Sequence, residues 1–220
     1  MKKALFLFAA IQLFMTAQSQ NVTSLSKEEK EGLLYMREEE KMARDVYDSM
    51  FAKWEVNPFG NIRQSERVHM DRMKTLAVTY GIQEEKVFKQ DKAGRFSDPL
   101  LASYYKTLIA SGTQSLTDAL KAGAKIEDLD IADLDKRIAQ TKKEDILAAY
   151  KYLRMGSENH LRAFVRRLKS QGVDYQPEFL TKGIFDAIIS GENQQAGCGN
   201  GPGQGQGKGE GKRKGKCCDK

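Results

Sequence analysis

The segment Ser65-Glu66-Arg67-Val68-His69-Met70 holds a glutamate and a histidine three residues apart. At that spacing the two side chains leave the same face of a helix, one turn above the other. The pair lies inside an apolar stripe, because Ile62, Glu66, His69, Met73, Leu76 and Tyr80 follow the alternating 4/3 spacing of core positions. Burial of the apolar members carries Glu66 and His69 inward with them. A buried carboxylate without a partner costs several kcal/mol, roughly, so the fold must set something positive against it. A metal ion held between helices is one such group.

Three other segments must position whatever completes the site. The first runs from Ser26 to Trp54, with Leu33, Met36, Glu40, Ala43, Tyr47, Met50 and Trp54 on one stripe. Glu40 is the member unsuited to a core, and Glu38 and Glu39 fall on other faces and read as solvated. Asn57-Pro58-Phe59-Gly60 is a turn signature, and Asn61 is placed to cap the second helix, which Gly81 ends. Residues 82–113 read as a crossover containing a short helix that opens at Asp98-Pro99. Ser115 caps the third long helix, whose stripe Leu116, Leu120, Gly123, Glu127, Asp130, Leu134 and Ile138 has two acids at its centre. Thr141-x-x-Glu144 has the form of a capping box for the fourth, whose stripe is Ile146, Tyr150, Leu153, Ser157, His160 and Phe164. A short closing helix follows near Lys182–Ile189.

The fold class read from this pattern is all-α, a four-helix bundle with a crossover between its second and third long helices. Each long helix is interrupted centrally by polar residues: Glu40, then Glu66 and His69, then Glu127 and Asp130, then His160. Four carboxylates and two imidazoles suit a pair of iron or manganese ions. Four-helix bundles with this donor set are a known di-iron and di-manganese architecture. A buried hydrogen-bonded network is the competing account, with Glu66 on His69, Glu127 on His160, and Arg44 or Arg162 closing the charge balance. Tyr47 and Tyr150 read as packing residues, and Met36, Met50 and Met73 as core filler.

These residues resemble the ferritin-like superfamily, rubrerythrin-type domains in particular. Glu40 followed by Ala43-Arg44 and Tyr47 is similar to that group's first-helix pattern, Glu66-x-x-His69 to its second and Glu127-x-x-Asp130 to its third. More closely, Glu38-Glu39-Glu40-Lys41-x-Ala43-Arg44-Asp45-x-Tyr47, Ser65-Glu66-x-x-His69-Met70 and Ser157-x-Asn159-His160-Leu161-Arg162-Ala163-Phe164 resemble a bacterial ferritin-like family known as domain of unknown function 2202, over residues 25–190. The resemblance implies Glu66 and Glu127 as bridging carboxylates between ions ~3.5–4 Å apart. It implies Glu40 and Asp130 as terminal acids, and His69 and His160 as nitrogen donors. The chain departs from the pattern at Ser157, where ferritin-like fourth helices carry an acid; either Asp130 supplies the missing charge or one metal position is weakened. Two such ions imply oxidase or peroxidase chemistry on dioxygen or peroxide. A non-catalytic metal-binding or interaction module, and a metal-free structural bundle, are the alternatives.

The ends differ from this body. Lys2-Lys3, the apolar run Ala4–Met15 and Ala17-Gln18-Ser19 read as an export signal over residues 1–19, too short to span a membrane. The mature chain is then expected outside the cytoplasm and not transmembrane. Residues 192–220, in which glycine takes every second position from Gly197 to Gly211, hold Cys198, Cys217 and Cys218 and read as a disordered tail. Of the formal charge of +6, Lys2 and Lys3 carry +2 and this tail +3, which leaves the body near +1. No concentrated basic face marks a nucleic-acid-binding body, and neither a haem motif nor a nucleotide loop is present. The partners this reading carries are metal ions, an unidentified electron donor and, as an open alternative, a second copy in a homodimer.

Overall fold

The computed structural model describes residues 24–83 and 91–191. The expected export signal and glycine-rich tail lie outside the described residues.

Six helices make up the described part: α1 (Lys27–Trp54), α2 (Phe59–Thr79), α3 (Pro99–Gly112), α4 (Leu116–Gln140), α5 (Glu144–Lys169) and α6 (Lys182–Ser190). The chain is an all-helical bundle. Local chemistry sets most of the ends. Ser26 accepts from the Glu29 amide while Glu29 reaches back to the Ser26 amide, a reciprocal cap that starts α1. Asp98 accepts from the amides of Leu100 and Leu101, and Ser115 from that of Asp118. Gly81, at φ 77°, turns the chain out of α2 in the left-handed region open to glycine.

Two expected caps are not made. The second helix begins at Phe59, ahead of Asn61, because the Phe59 ring is fully buried and draws the first turn inward. Thr141 does not box with Glu144: α5 starts after Lys143, and the Thr141 hydroxyl donates instead to Glu29 Oε1 at 2.7 Å. That bond ties the α4–α5 connection to the first turn of α1.

The helices pair as α1 with α2 and α4 with α5, while the crossover helix α3 covers α1 and α4. Cross-links fix the register. Tyr35 meets Asp133 and Tyr47 meets Glu127, so α1 and α4 run antiparallel. Glu66 meets His160 and Tyr80 meets Asp145, so α2 and α5 do also. α6 closes the bundle by burying Phe185 and Ile188 against α5, whose Arg162 donates to the Ile188 carbonyl at 3.0 Å.

The apolar core is split. One cluster holds Met42, Val46, Met50, Phe59, Leu120 and Phe164; the other holds Leu33, Met36, Met73, Leu134, Tyr150 and Leu153. Along each long helix the polar residues occupy the turns between these two clusters. The candidate site is therefore a polar layer with an apolar plug on either side.

Candidate metal centre

Each long helix delivers its central polar residues into that layer, because the apolar residues a turn before and after them are locked in the two clusters. Glu40, Glu66, His69, Glu127, Asp130 and His160 are all buried. Ligand atoms of Glu40, Glu66 and His69 lie within 4.8 Å of one another, and so do those of Glu66, Glu127 and His160. Five of the six residues expected from the sequence thus form two triads, and Glu66 belongs to both. His69 Nδ1 is 2.9 Å from Glu66 Oε2 and 3.2 Å from Glu40 Oε2. His160 Nδ1 is 2.9 Å from Glu66 Oε1 and 3.4 Å from Glu127 Oε2. The two imidazole rings stack 5.7 Å apart.

The sixth residue, Asp130, lies beside the triads and outside both. Its Oδ2 accepts from the Ser157 hydroxyl at 2.5 Å, and its Oδ1 is buried without a hydrogen-bond partner. The serine at the expected acid position is therefore matched by an acid from α4 that reaches across to it. Glu158, the neighbouring acid on α5, pairs with Arg154 and Arg162 instead.

Surrounding groups orient the donors. Tyr47, on the core stripe, donates to Glu127 Oε1 at 2.5 Å and leaves Oε2 facing His160. His160 Nε2 is 3.2 Å from the Ser65 hydroxyl, so Nδ1 is the nitrogen turned inward. The His69 ring is packed against Gly156 and the edge of Tyr152. A Cβ at position 156 would stand 2.7 Å from both Cε1 and Nε2 of His69, which fixes glycine there.

Donors are scarce in the layer. Glu40 Oε1, Glu66 Oε1, Asp130 Oδ1 and His160 Nδ1 are all buried with no hydrogen bond in acceptable geometry. Glu66 Oε1 and His160 Nδ1 lie 2.9 Å apart, an ion pair when the imidazole is protonated. The arginines that a closed network would need are engaged elsewhere: Arg44 forks onto Asp45, and Arg162 reaches the Ile188 carbonyl and Asn159.

The imbalance shows in the proton affinities. Burial, reinforced by neighbouring acids, pushes Glu40 and Asp130 well above the carboxylate range. Burial also raises Glu127, against the pull of His160. Glu66 alone is held below that range; burial opposes this, and the His160 and His69 charges outweigh it. His69 is pushed well up and His160 up to about 9, because the acids facing them outweigh the burial that would lower both. Without a cation, the layer must hold protons to stay neutral. A set of hard carboxylate oxygens with two imidazole nitrogens, short of donors and long on negative charge, fits first-row divalent ions.

One acid in this layer is missed by the sequence pattern. Glu39, expected on the surface, is 1% exposed, and neither of its carboxylate oxygens has a hydrogen-bond partner. Its side chain leaves α1 toward α4, on a side that a single stripe per helix does not include. Glu38 is half-buried and accepts from the amides of Ser97 and Asp98, so it anchors the crossover.

Fold and site together define a class: an all-α bundle whose long helices bring carboxylates and imidazoles into a buried layer. Within that class the chain belongs to the family described as the uncharacterized protein domain DUF2202, whose profile matches residues 29–192. It is 48% identical over 171 residues to the uncharacterized protein MJ0754 of Methanocaldococcus jannaschii, covering 78% of this chain and 91% of that relative. It is also similar to the crystal structure titled as the hypothetical protein MJ0754 from Methanococcus jannaschii, with a TM-score of 0.75 and 97% of that chain covered. No helix among the described residues is long and apolar enough to cross a membrane.

Proposed function

We propose that the bundle binds two iron or manganese ions, one in each triad with Glu66 common to both, and that the loaded protein is an exported oxidase or peroxidase acting on dioxygen or peroxide. One observation carries the reading: two buried carboxylate–imidazole triads share a glutamate in a layer with more acids than donors. Glu40 and His69 would hold one ion, and Glu127 and His160 the other. Asp130, steadied by Ser157, supplies further negative charge beside them. The ions would supply two electrons for reduction of an O–O bond.

The chain's own residues do the remainder. The apolar clusters on either side keep bulk water from the layer, so the reacting molecule must be small. His160, 8% exposed, is the least buried donor and marks the side nearest solvent. Tyr47 fixes one oxygen of Glu127 and leaves the other to face His160. Export rests on the pattern of residues 1–19.

The test is peroxide consumption by the iron- or manganese-loaded protein with ascorbate supplied as the electron donor that re-reduces the ions, beside Glu66→Ala and His69→Ala. Turnover by the parent, with loss of both metal and turnover in each variant, is the expected result. Metal bound at full occupancy without any peroxide consumption would leave a metal-binding module. Unchanged metal content in both variants would refute this placement of the ions.

A further inference from the structure

Glu39 plays no part in either triad, yet it is one of the most unusual side chains in the protein. The α1–α4 register locates it. Tyr35 donates to Asp133 Oδ2 at 3.1 Å, and Tyr47 donates to Glu127 Oε1 at 2.5 Å. One turn beyond Tyr35 on α1 is Glu39. One turn back from Asp133 on the antiparallel α4 is Asp130. The two acids are therefore level across the interface, and among the charged groups Asp130 acts most strongly on Glu39, followed by Asp133, with Arg137 and Lys136 opposing them from the surface. Both Glu39 oxygens and Asp130 Oδ1 are buried and unpartnered. A buried carboxylate with no donor on either oxygen is a large standing cost unless a proton or a cation neutralises it.

The acids lead somewhere. Asp133, with 14% of its side chain exposed, lies in the wall of an open surface pocket with Tyr35, Leu129, Lys136 and Arg137. From Asp133 the acids step inward: Glu39 and Asp130 face each other about one turn further in, and Glu40 and Glu127 of the triads follow along the same two helices. Lys136, itself 68% exposed, donates to Asp133 at 2.6 Å, and Arg137 lies over the Tyr35 ring. Both are long surface side chains that can swing away.

We propose that Asp133, Glu39 and Asp130 form a transit site for the divalent cation, a route by which it passes between α1 and α4 to the triads. The inference rests on the two-ion reading of those triads. Hard carboxylate oxygens a turn apart let an ion exchange its waters in steps and never leave it facing an apolar wall. The route assigns Glu39 a role in the rate of loading and none in the final occupancy.

The experiment mixes the full-length metal-free protein with cobalt(II) as probe ion. It follows the rise of the ligand-field absorption, then measures bound metal at the end point. Glu39→Gln keeps the side-chain shape, removes the acid that could ionise toward a passing cation and should leave the helical circular dichroism unchanged. It is expected to slow uptake tenfold or more and still finish with two ions per chain. Asp133→Asn, at the mouth, is expected to slow uptake severalfold. Asp135→Asn removes the same charge from the same helix but on the face that pairs with Arg154, and is expected to load at the parental rate. Parental uptake in Glu39→Gln, or equal slowing in Asp135→Asn, would overturn the route and leave the two-ion reading standing. Fewer than two ions at the end point in Glu39→Gln would make Glu39 a resident ligand and also overturn it. A parent protein that takes up no cobalt would overturn both.

Discussion

Asp128 and Glu40 are both almost wholly buried carboxylates, and their surroundings are opposite. Asp128 accepts from the Tyr175 hydroxyl and from the amides of Glu178, Phe179 and Leu180, so four donors answer its two oxygens. Asp45 is treated likewise, with Lys41, Arg44 and the Gly94 amide around it. Glu40 has a single imidazole on one oxygen and nothing on the other; Asp130 has only the Ser157 hydroxyl, and Glu39 has no donor on either oxygen. The fold therefore can satisfy a buried acid where the acid serves the fold. Asp128 staples residues 175–180 onto α4, and Asp45 with Lys41 staples residues 92–95 onto α1. In the central layer the acids are left wanting a cation, which is the physical content of the proposed metal centre.

The contrast breaks first if a stapling acid and a central acid respond alike. Asp128→Ala strands buried donors, so it should cost on the order of 4 kcal/mol of stability in denaturant unfolding, with metal content per folded chain unchanged. The next largest effect concerns pH. In the metal-free protein His160 binds its proton up to about 9, above the unfolded value of about 6.5. Its contribution, on the order of 3 kcal/mol, is fully present below pH ~6.5 and disappears as pH rises through 9. Metal must displace that proton, so loaded protein should instead gain stability over the same interval. Opposite slopes in urea midpoints measured from pH 6.5 to 9.5 are the expected outcome; parallel slopes would show that His160 holds no ion.

Smaller effects sharpen the same comparison. Gly156→Ala drives a methyl into the His69 ring and should weaken metal binding on the order of tenfold in competition with a chelator, with a modest change in metal-free stability. Glu40→Gln replaces a buried acid, which burial keeps protonated in the metal-free protein, with a neutral side chain of the same shape. It should leave the metal-free protein as stable or up to about 1 kcal/mol more so by thermal unfolding, and at the same time reduce metal content. A loss of several kcal/mol instead would place Glu40 among the stapling acids.

The central layer was legible in the sequence because its residues share stripes with apolar neighbours. Glu66, His69, Glu127 and His160 were carried inward by Met73, Leu120 and Phe164, whose burial the 3.6-residue period foretells. What escaped depends on contacts that no period encodes. α1 packs against α2, α3 and α4, so it is buried over a wider arc than one stripe, and Glu39, about 100° around from Glu40, comes to face α4 and not water. Asp128 was invisible because its partners are backbone amides of an irregular segment fifty residues on. The Ser/Thr-x-x-Glu pattern occurs at both Ser26 and Thr141 and closes only at Ser26, because Thr141 finds Glu29 across the bundle. Asn61 failed as a cap for a similar reason: the buried Phe59 ring set the start of α2 two residues earlier.

The measurement that bears most directly on the central claim is elemental analysis of the protein expressed as residues 1–220, with the proposed export signal retained. It would be run beside the same chain ended before Glu192, which lacks Cys198, Cys217 and Cys218. Two iron or manganese ions per chain in both forms is the predicted result, since every proposed donor lies in the bundle. Metal lost together with the tail would move binding to the cysteines, and no metal in either form would contradict the account and leave the central layer as a protonated polar network.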